Sequence, residues 1–275
     1  MRSMTGVKNP DGAADPIIVH PDVRKMLLTQ KSFAEGGRAM VAELAHLVDN
    51  THACKDPEVL AKTEEKLAFL TPIAKAFLTE TGLESANYGI QVYGGHGFIQ
   101  EWGMEQLVRD TRICCIYEGT TGIQALDLLG RKVIGSQGKL VQNYLEEIKN
   151  FLNAQDETHF PQQCSKLQDY VNQWEDLTSF IFKQVEHSAD EIGAASVDYL
   201  MYSGYVTLAL YWLKMMFTAT KQMENNPADA DFYLAKIKTG KFYFDRVLPR
   251  AKGHEACILS GANSMMSLEA DHFSF

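Results

Sequence analysis

The chain has 275 residues, enough for about two domains of ordinary size and a large buried core. Hydrophobic residues make up 45% of it, which argues for a packed globule rather than a disordered chain. Residues 1–135 hold 14 basic against 17 acidic side chains and residues 136–275 hold 12 against 18, so neither half has the basic stripe of a nucleic-acid binder.

The start, Met1-Arg2-Ser3-Met4-Thr5-Gly6, lacks an apolar signal core. Residues 7–19 read as a loop, punctuated by two prolines and by Asn-Pro and Asp-Gly pairs. From Pro21 a helical stripe begins: Val23, Met26, Leu27, Gln30, Phe33, Gly37, Met40, Val41, Leu44 and Val48 recur at steps of three and four. Asp56-Pro57 opens a second helix with Asp56 as N-cap and Pro57 at the first helical position. Thr71-Pro72 repeats that device, and the helix it opens runs to about Tyr93 despite Gly82 and Gly89. Gly94-Gly95-His96-Gly97 ends it in a turn that can take positive φ. A short segment, Glu105 to Tyr117, leads to Glu118-Gly119. Thr121 and Gln124 have the spacing of a capping box for a helix from Gly122 to about Ile134, closed by Gly135.

Four further helical stretches follow, roughly 139–153, 159–188, 190–225 and 228–248. Leu167, Val171, Trp174, Leu177, Ile181 and Val185 form a clear stripe on the second. The most apolar run, Tyr205 to Ala219, is broken by Lys214 and falls short of the about 18 residues a membrane span needs. Strand-like alternation is nearly absent. The expectation is an all-α protein with a boundary near 136: a helical bundle over 1–136, then a second helical bundle over 137–275.

Five cysteines, Cys54, Cys114, Cys115, Cys164 and Cys257, form no Cys-x-x-Cys unit, and the eight histidines show no close pair at helical spacing. Neither a disulfide framework nor a metal site is indicated, and a reducing cytoplasm fits. Cys114 and Cys115 read as inert core thiols. Trp102, Trp174 and Trp212 read as packing residues, and Glu64, Glu65, Glu146 and Glu147 as solvated helix faces.

One constellation invites chemistry. Tyr117-Glu118-Gly119-Thr120-Thr121 lies between the apolar run Ile113-Cys114-Cys115-Ile116 and a capped helix, and Glu118 is the only carboxylate between Asp110 and Asp127. Burial behind that run would disfavour ionisation of Glu118, while the helix N-terminus would favour it. The balance suits a general base at neutral pH. A plain alternative stands beside it: Glu118 merely helps to cap the helix.

Gln91-Val92-Tyr93-Gly94-Gly95-His96-Gly97-Phe98, then Arg109-Asp110-Thr111-Arg112, then Ile116-Tyr117-Glu118-Gly119-Thr120, keep an order and spacing that resembles the acyl-CoA dehydrogenases. A weaker resemblance extends from about Arg2 to Arg131. Residues after about 138 look like the helical extension of some members, similar to methylthiopropanoyl-CoA dehydrogenases and bacterial enzymes of broad chain-length range. Members have an N-terminal helical, a middle β- and a C-terminal helical domain, and this chain corresponds to the last. The resemblance therefore implies a fragment or split subunit, incomplete without upstream domains or a partner chain, with a helical interaction or structural subunit lacking activity of its own as the alternative. It implies the cofactor FAD, with Arg2, Gln91, Gly94, Gly95 and Thr120 as cofactor-binding residues. Glu118 is implied as the catalytic base, its own N–H helping to bind the thioester oxygen, with Tyr117 and Gly119 as substrate contacts. The implied reaction turns an acyl-CoA into a trans-2-enoyl-CoA. The implied partners are an electron-transfer flavoprotein and a second copy in a homodimer. Arg109 and Asp110 are expected to form a structural ion pair. Two positions depart from the family: His20-Pro21 replaces a frequent His-Gln, and Gly122 replaces a frequent glutamine.

Overall fold

A computed structural model describes residues 1–155 and 158–274; Asp156, Glu157 and Phe275, within the segment 137–275, lie outside the described residues. The chain is all-α, with no strand among the described residues. Helices α1 (Pro21–Ala53) and α2 (Pro57–Tyr93) pack as a long antiparallel pair joined by three residues. Asp56 caps α2 as expected, its Oδ1 accepting the N–H groups of Glu58 at 2.9 Å and Val59 at 3.3 Å.

Thr71-Pro72 opens nothing. Pro72 lies inside α2, and Thr71 Oγ1 donates back to the carbonyl of Leu67 at 2.7 Å. A proline inside a helix costs about 3 kcal/mol, while full burial of a side chain such as Ile73 or Phe77 contributes roughly 1.5–3 kcal/mol each. Ile73, Ala74, Ala76 and Phe77 are all buried, so packing carries the helix through the break.

Three short helices follow: α3 (Gly95–Phe98), α4 (Met104–Cys114) and α5 (Thr121–Leu126). α5 widens into a π-helical stretch, Asp127–Ile134, with Gly135 at its end. The remaining helices are α6 (Lys139–Asn153), α7 (Pro161–Val185), α8 (Asp190–Asn225) and α9 (Ala230–Phe242). The expected stretch 228–248 is thus subdivided: α9 passes into a π-helical stretch, Tyr243–Val247, and a turn at Leu248–Arg250 that holds Pro249. Helices α10 (Ala251–Leu259) and α11 (Asn263–Met266) have no counterpart in the sequence reading. Only Ala251 and Ile258 of α10 are buried, too few to make a periodic stripe.

Helix α8 is the axis of the molecule. Tyr202 to Leu213 is buried without a break, so the most apolar run of the chain is a core helix covered on all sides. It packs on α1, α2 and α5 as well as on α7, α9 and α10. Trp212 Nε1 donates to the carbonyl of Ser32 at 3.0 Å. Gly204 sits so close to Phe77 that a Cβ there would come within 2.2 Å of the ring. Buried side chains from Phe33 to Ile258 form one hydrophobic core, so the segments before and after residue 136 share an interior.

Polar contacts reinforce that joint. Lys66 of α2 bridges Glu43 of α1 at 2.7 Å and Glu147 of α6 at 2.8 Å, and Lys139 reaches Glu65 at 2.6 Å. Glu65 and Glu147 are therefore half-buried partners between helices rather than solvated faces. Trp174 and Trp212 are fully buried as expected, but Trp102 is 52% exposed. It meets His96 edge-on at 5.3 Å instead of entering the core. Val41 and Val48 of the α1 stripe are also exposed, because the face that meets α2 and α8 runs through Phe33, Gly37 and Met40.

Candidate active site

The loop between α4 and α5 carries the candidate chemistry. Of the apolar run before it only Cys115 is buried; Cys114 is half-buried, and Ile113 and Ile116 are exposed. Glu118 is exposed too, so this chain does not itself supply the desolvation expected of that carboxylate. The reason is local: α4 buries no residue of its own and leans mainly on α2.

The loop backbone is unusual. Glu118 has φ +52° and Gly119 φ +94°, two left-handed residues in succession. For an L-residue that conformation costs roughly 1–2 kcal/mol, so something must hold it. Gln124 Nε2 donates to the carbonyl of Glu118 at 3.1 Å. Lys75 Nζ, reaching across from α2, donates to the carbonyl of Gly119. Glu80, also on α2, accepts the hydroxyl of Thr121. A Cβ at Gly119 would approach Gln124 Nε2 to 2.9 Å, so glycine is needed there for space as well as for φ.

The cap of α5 is Thr120, one residue before the expected Thr121: Thr120 Oγ1 accepts the N–H of Ile123 at 3.4 Å. The Thr121 hydroxyl is drawn instead to the Glu80 carboxylate, a charge-assisted bond and so the stronger of the two. Glu118 takes no part in the cap, and its carboxylate has no hydrogen-bond partner among the described residues. Its backbone N–H is likewise unpartnered among them. The ring of Tyr117 stands half-exposed with Lys75 Nζ 6.0 Å from its centroid. Lys75 and Glu80 escaped the sequence reading. The available signal was a lone cation in Ile73-Ala74-Lys75-Ala76-Phe77, where every neighbour is buried.

Gln91, Gly94 and Gly95 lie at the far end of the same helix. Gln91 is exposed and accepts the N–H of Gly94 at 3.1 Å. Gly94 has φ +61°, and a Cβ at Gly94 or Gly95 would meet nothing within 4 Å, so bare backbone faces open space. From Lys75 to Gln91 is about 24 Å along the helix at 1.5 Å per residue. The expected base and these expected cofactor contacts therefore do not converge on one pocket of this chain.

Arg2 belongs with the glycine end. Its guanidinium donates to the carbonyls of Asn9 at 2.6 Å and of Gly12, and lies 3.4 Å from Asp15 Oδ1. Asp15 is fully buried and accepts the N–H groups of Ser3, Lys8 and Asn9 at 2.7–2.8 Å. These bonds, that of Ser3 foremost, hold its carboxyl down at about 2. Ile17, just beyond, lines a shallow cleft of about 410 Å³ with Val92, Tyr93, His96 and Trp102, so the Arg2 loop adjoins the Gly94 turn. Arg109 and Asp110 make no ion pair: neighbours one residue apart on a helix do not face each other, and Asp110 accepts Gln106 Nε2 at 2.7 Å instead. Among the described residues no cluster of metal-ligating side chains occurs.

This all-helical fold has counterparts among the C-terminal domains of known flavoenzymes. Residues 4–133 match the acyl-CoA dehydrogenase C-terminal domain, and residues 144–269 match the acetyl-CoA dehydrogenase C-terminal-like family. The chain belongs to the acyl-CoA dehydrogenase family and corresponds to its C-terminal half. It is 34% identical over 268 residues to a 3-methylmercaptopropionyl-CoA dehydrogenase of Ruegeria pomeroyi, covering 94% of this chain and 44% of that protein. It is 28% identical to the broad-specificity linear acyl-CoA dehydrogenase FadE5 of Mycobacterium tuberculosis, covering 92% of this chain and 43% of the other. In fold it resembles an acyl-CoA dehydrogenase complexed with FAD from Bacillus anthracis, with a TM-score of 0.67, 18% identity and coverage of 90% and 43%. The chain thus spans less than half the length of the relatives it matches.

Proposed function

We propose that this chain supplies the base-bearing C-terminal half of an FAD-dependent acyl-CoA dehydrogenase, which converts an acyl-CoA thioester to its trans-2-enoyl-CoA. The observation that carries the reading is the state of Glu118. Its carboxylate is unpaired among the described residues, its backbone is held left-handed by other residues, and the capping work is done by Thr120. A glutamate kept for structure would be expected to serve that cap.

The residues present fit the cofactor. Gly94 and Gly95 offer backbone with no side chain in the way, Gln91 is exposed beside them, and Arg2 Nε has no partner among the described residues. Thr120 stands at the start of α5, where free N–H groups favour an anion. FAD, when bound, would take up the β-hydrogen as hydride. Glu118 accepts the α-proton at a carboxylate oxygen. The N–H of Glu118 donates to the thioester oxygen as negative charge gathers there, a bond of the kind worth roughly 3–4 kcal/mol at such a site. Tyr117 and Gly119, the chain neighbours of the base, are the substrate contacts in this reading.

Because Glu118 is exposed here, water must be excluded by parts that the longer relatives possess, or by another chain. The distance between the Glu118 loop and the Gly94 turn supports a second copy, with each protomer's glycine turn serving its partner's cofactor. An electron-transfer flavoprotein is the acceptor in this reading. The five cysteines are free, which fits a cytoplasmic setting, and no described helix is long and apolar enough to cross a membrane.

The test is anaerobic bleaching of the flavin by an acyl-CoA in the assembled enzyme. Glu118→Gln keeps shape and binding but cannot accept the proton, so bleaching slows at least 100-fold and toward 10,000-fold, the usual range for loss of a general base. Bleaching within a few-fold of the parent would show that Glu118 is not the base.

A further inference from the structure

We propose that Lys75 and Glu80 of α2 are positioning residues, which set the angle at which the loop presents Glu118 to its substrate. The inference rests on the functional reading above. Neither residue contacts the Glu118 carboxylate, so neither is a catalytic residue in this proposal.

The argument starts from the backbone. Two consecutive left-handed residues, Glu118 and Gly119, persist only where the surroundings over-determine them. The loop's own helices secure its ends. Tyr117 N donates to the carbonyl of Ile113 at 3.1 Å on the α4 side, and Gln124 N to that of Thr120 at 3.0 Å on the α5 side. α4 is no firm reference, since it buries nothing, and α5, anchored by Ala125 and by the buried Leu128, Leu129 and Val133 of its π-helical continuation, secures only the far end of the loop. The firm reference is α2, whose residues 72–74, 76 and 77 all lie in the interior. Lys75 and Glu80 are the side chains that carry its position to the loop. Lys75 fixes the Gly119 carbonyl and lies near the Tyr117 ring, so it meets both neighbours of Glu118. Glu80 fixes Thr121 two residues beyond.

The placement of Lys75 points the same way. Lys75 is part-buried on a helix whose flanking residues lie in the interior, and burying a charge is unfavourable unless its hydrogen bonds are met. Lys75 has no ion pair among the described residues, and its hydrogen bond goes to a loop carbonyl. A misplacement of about 1 Å at a reacting centre can cost 100-fold in rate, so a tether of this kind affects rate more than binding.

Two readouts separate this proposal from the reading it rests on. In the chain itself, Lys75→Met should make the amides of residues 116–122 exchange with deuterium about 10-fold faster, the scale of one lost hydrogen bond to a charged group, while residues 69–74 of α2 stay protected. In the flavin-loaded assembly, Lys75→Met should slow bleaching by about 10- to 100-fold with acyl-CoA affinity little changed, and Lys75→Arg should recover most of the rate. Thr121→Val, which removes the bond to Glu80 at nearly constant shape, should slow bleaching about 5-fold and serves if Lys75→Met does not fold. Parental bleaching rates in the variants that fold, with Glu118→Gln inactive, overturn the positioning role and leave the functional reading standing. Parental bleaching by Glu118→Gln overturns the functional reading itself, and this proposal with it.

Discussion

Helix α8 and the stretch from Val92 to Leu126 are both rich in large apolar side chains, and they meet opposite fates. In α8 the apolar residues from Tyr202 to Leu213 are enclosed by six other helices. In the second stretch Phe98 is 77% exposed and Ile123 58%, with Ile99, Leu107, Ile113, Ile116, Tyr117 and Leu126 also in the open. A lone exposed leucine needs no explanation, but a run of this size does. It lies around the glycine turn and the Glu118 loop, the two places that the proposed chemistry would cover. The contrast shows that apolar pattern identifies what must be buried, and only packing shows what does the burying.

The largest expected effect is in α8. Trp212→Ala removes a fully buried ring and the bond from its Nε1 to the Ser32 carbonyl, and should cost about 3–5 kcal/mol in urea unfolding. Because the core is shared, fluorescence and circular dichroism should report one coincident transition. If residues 1–136 unfolded separately in this variant, the two segments would be independent despite their common interior.

The joint between the segments should respond next. Arg250 Nη1 donates to both carboxylate oxygens of Glu84, at 2.7 and 2.9 Å, and ties the turn before α10 to α2. Arg250→Met would leave Glu84 without that partner in a half-buried place, at a cost of about 1–3 kcal/mol. Most of that loss should persist in high salt, since partly buried pairs are screened less than exposed ones. A loss that disappears in salt would mark the pair as a surface contact.

The exposed stretch should behave in the opposite way. Phe98→Ser with Ile123→Ser should change the stability of the chain by less than about 0.5 kcal/mol per site, the usual range for surface positions. The same pair should reduce self-association, measured by sedimentation, and weaken assembly with any covering partner. Strong destabilisation of the monomer would mean that these side chains are already covered in solution, and the contrast with α8 would fail.

The limits of the sequence reading follow the same line. Helix type was legible nearly throughout, and α6 and α8 begin and end where the pattern put them. Pro72 misled because the local cost of proline was visible and the burial that offsets it was not. Thr121 misled because a capping box is local, whereas Glu80 lies 41 residues away. Glu118, Gly94 and Gly95 stand out as candidates through a motif; Lys75 does not, since its partner is a backbone carbonyl and leaves no trace in side-chain spacing. Trp102 reads as a packing residue because indole rings are highly buried on average, yet it stands 52% exposed beside His96.

The smallest effect is expected in the loop that holds Arg2, and it probes a third kind of burial, that of a charge. Asp15 is enclosed not by apolar side chains but by the N–H groups of Ser3, Lys8 and Asn9, with Arg2 alongside. An amide in its place would turn an NH₂ group toward one of those donors. Asp15→Asn should therefore loosen residues 1–15, seen as faster amide exchange there, and leave the unfolding of the helical core unchanged. The sign of the pH dependence follows from the depressed carboxyl. With the folded group at about 2 and an ordinary aspartate at about 3.9, the loop keeps its full stabilisation above the ordinary value and loses it as the pH falls through about 2. The amide shifts of Ser3, Lys8 and Asn9 should accordingly titrate with a midpoint near 2. A midpoint at the ordinary aspartate value would mean that the loop is open in solution, with the whole Arg2 guanidinium available to an anion.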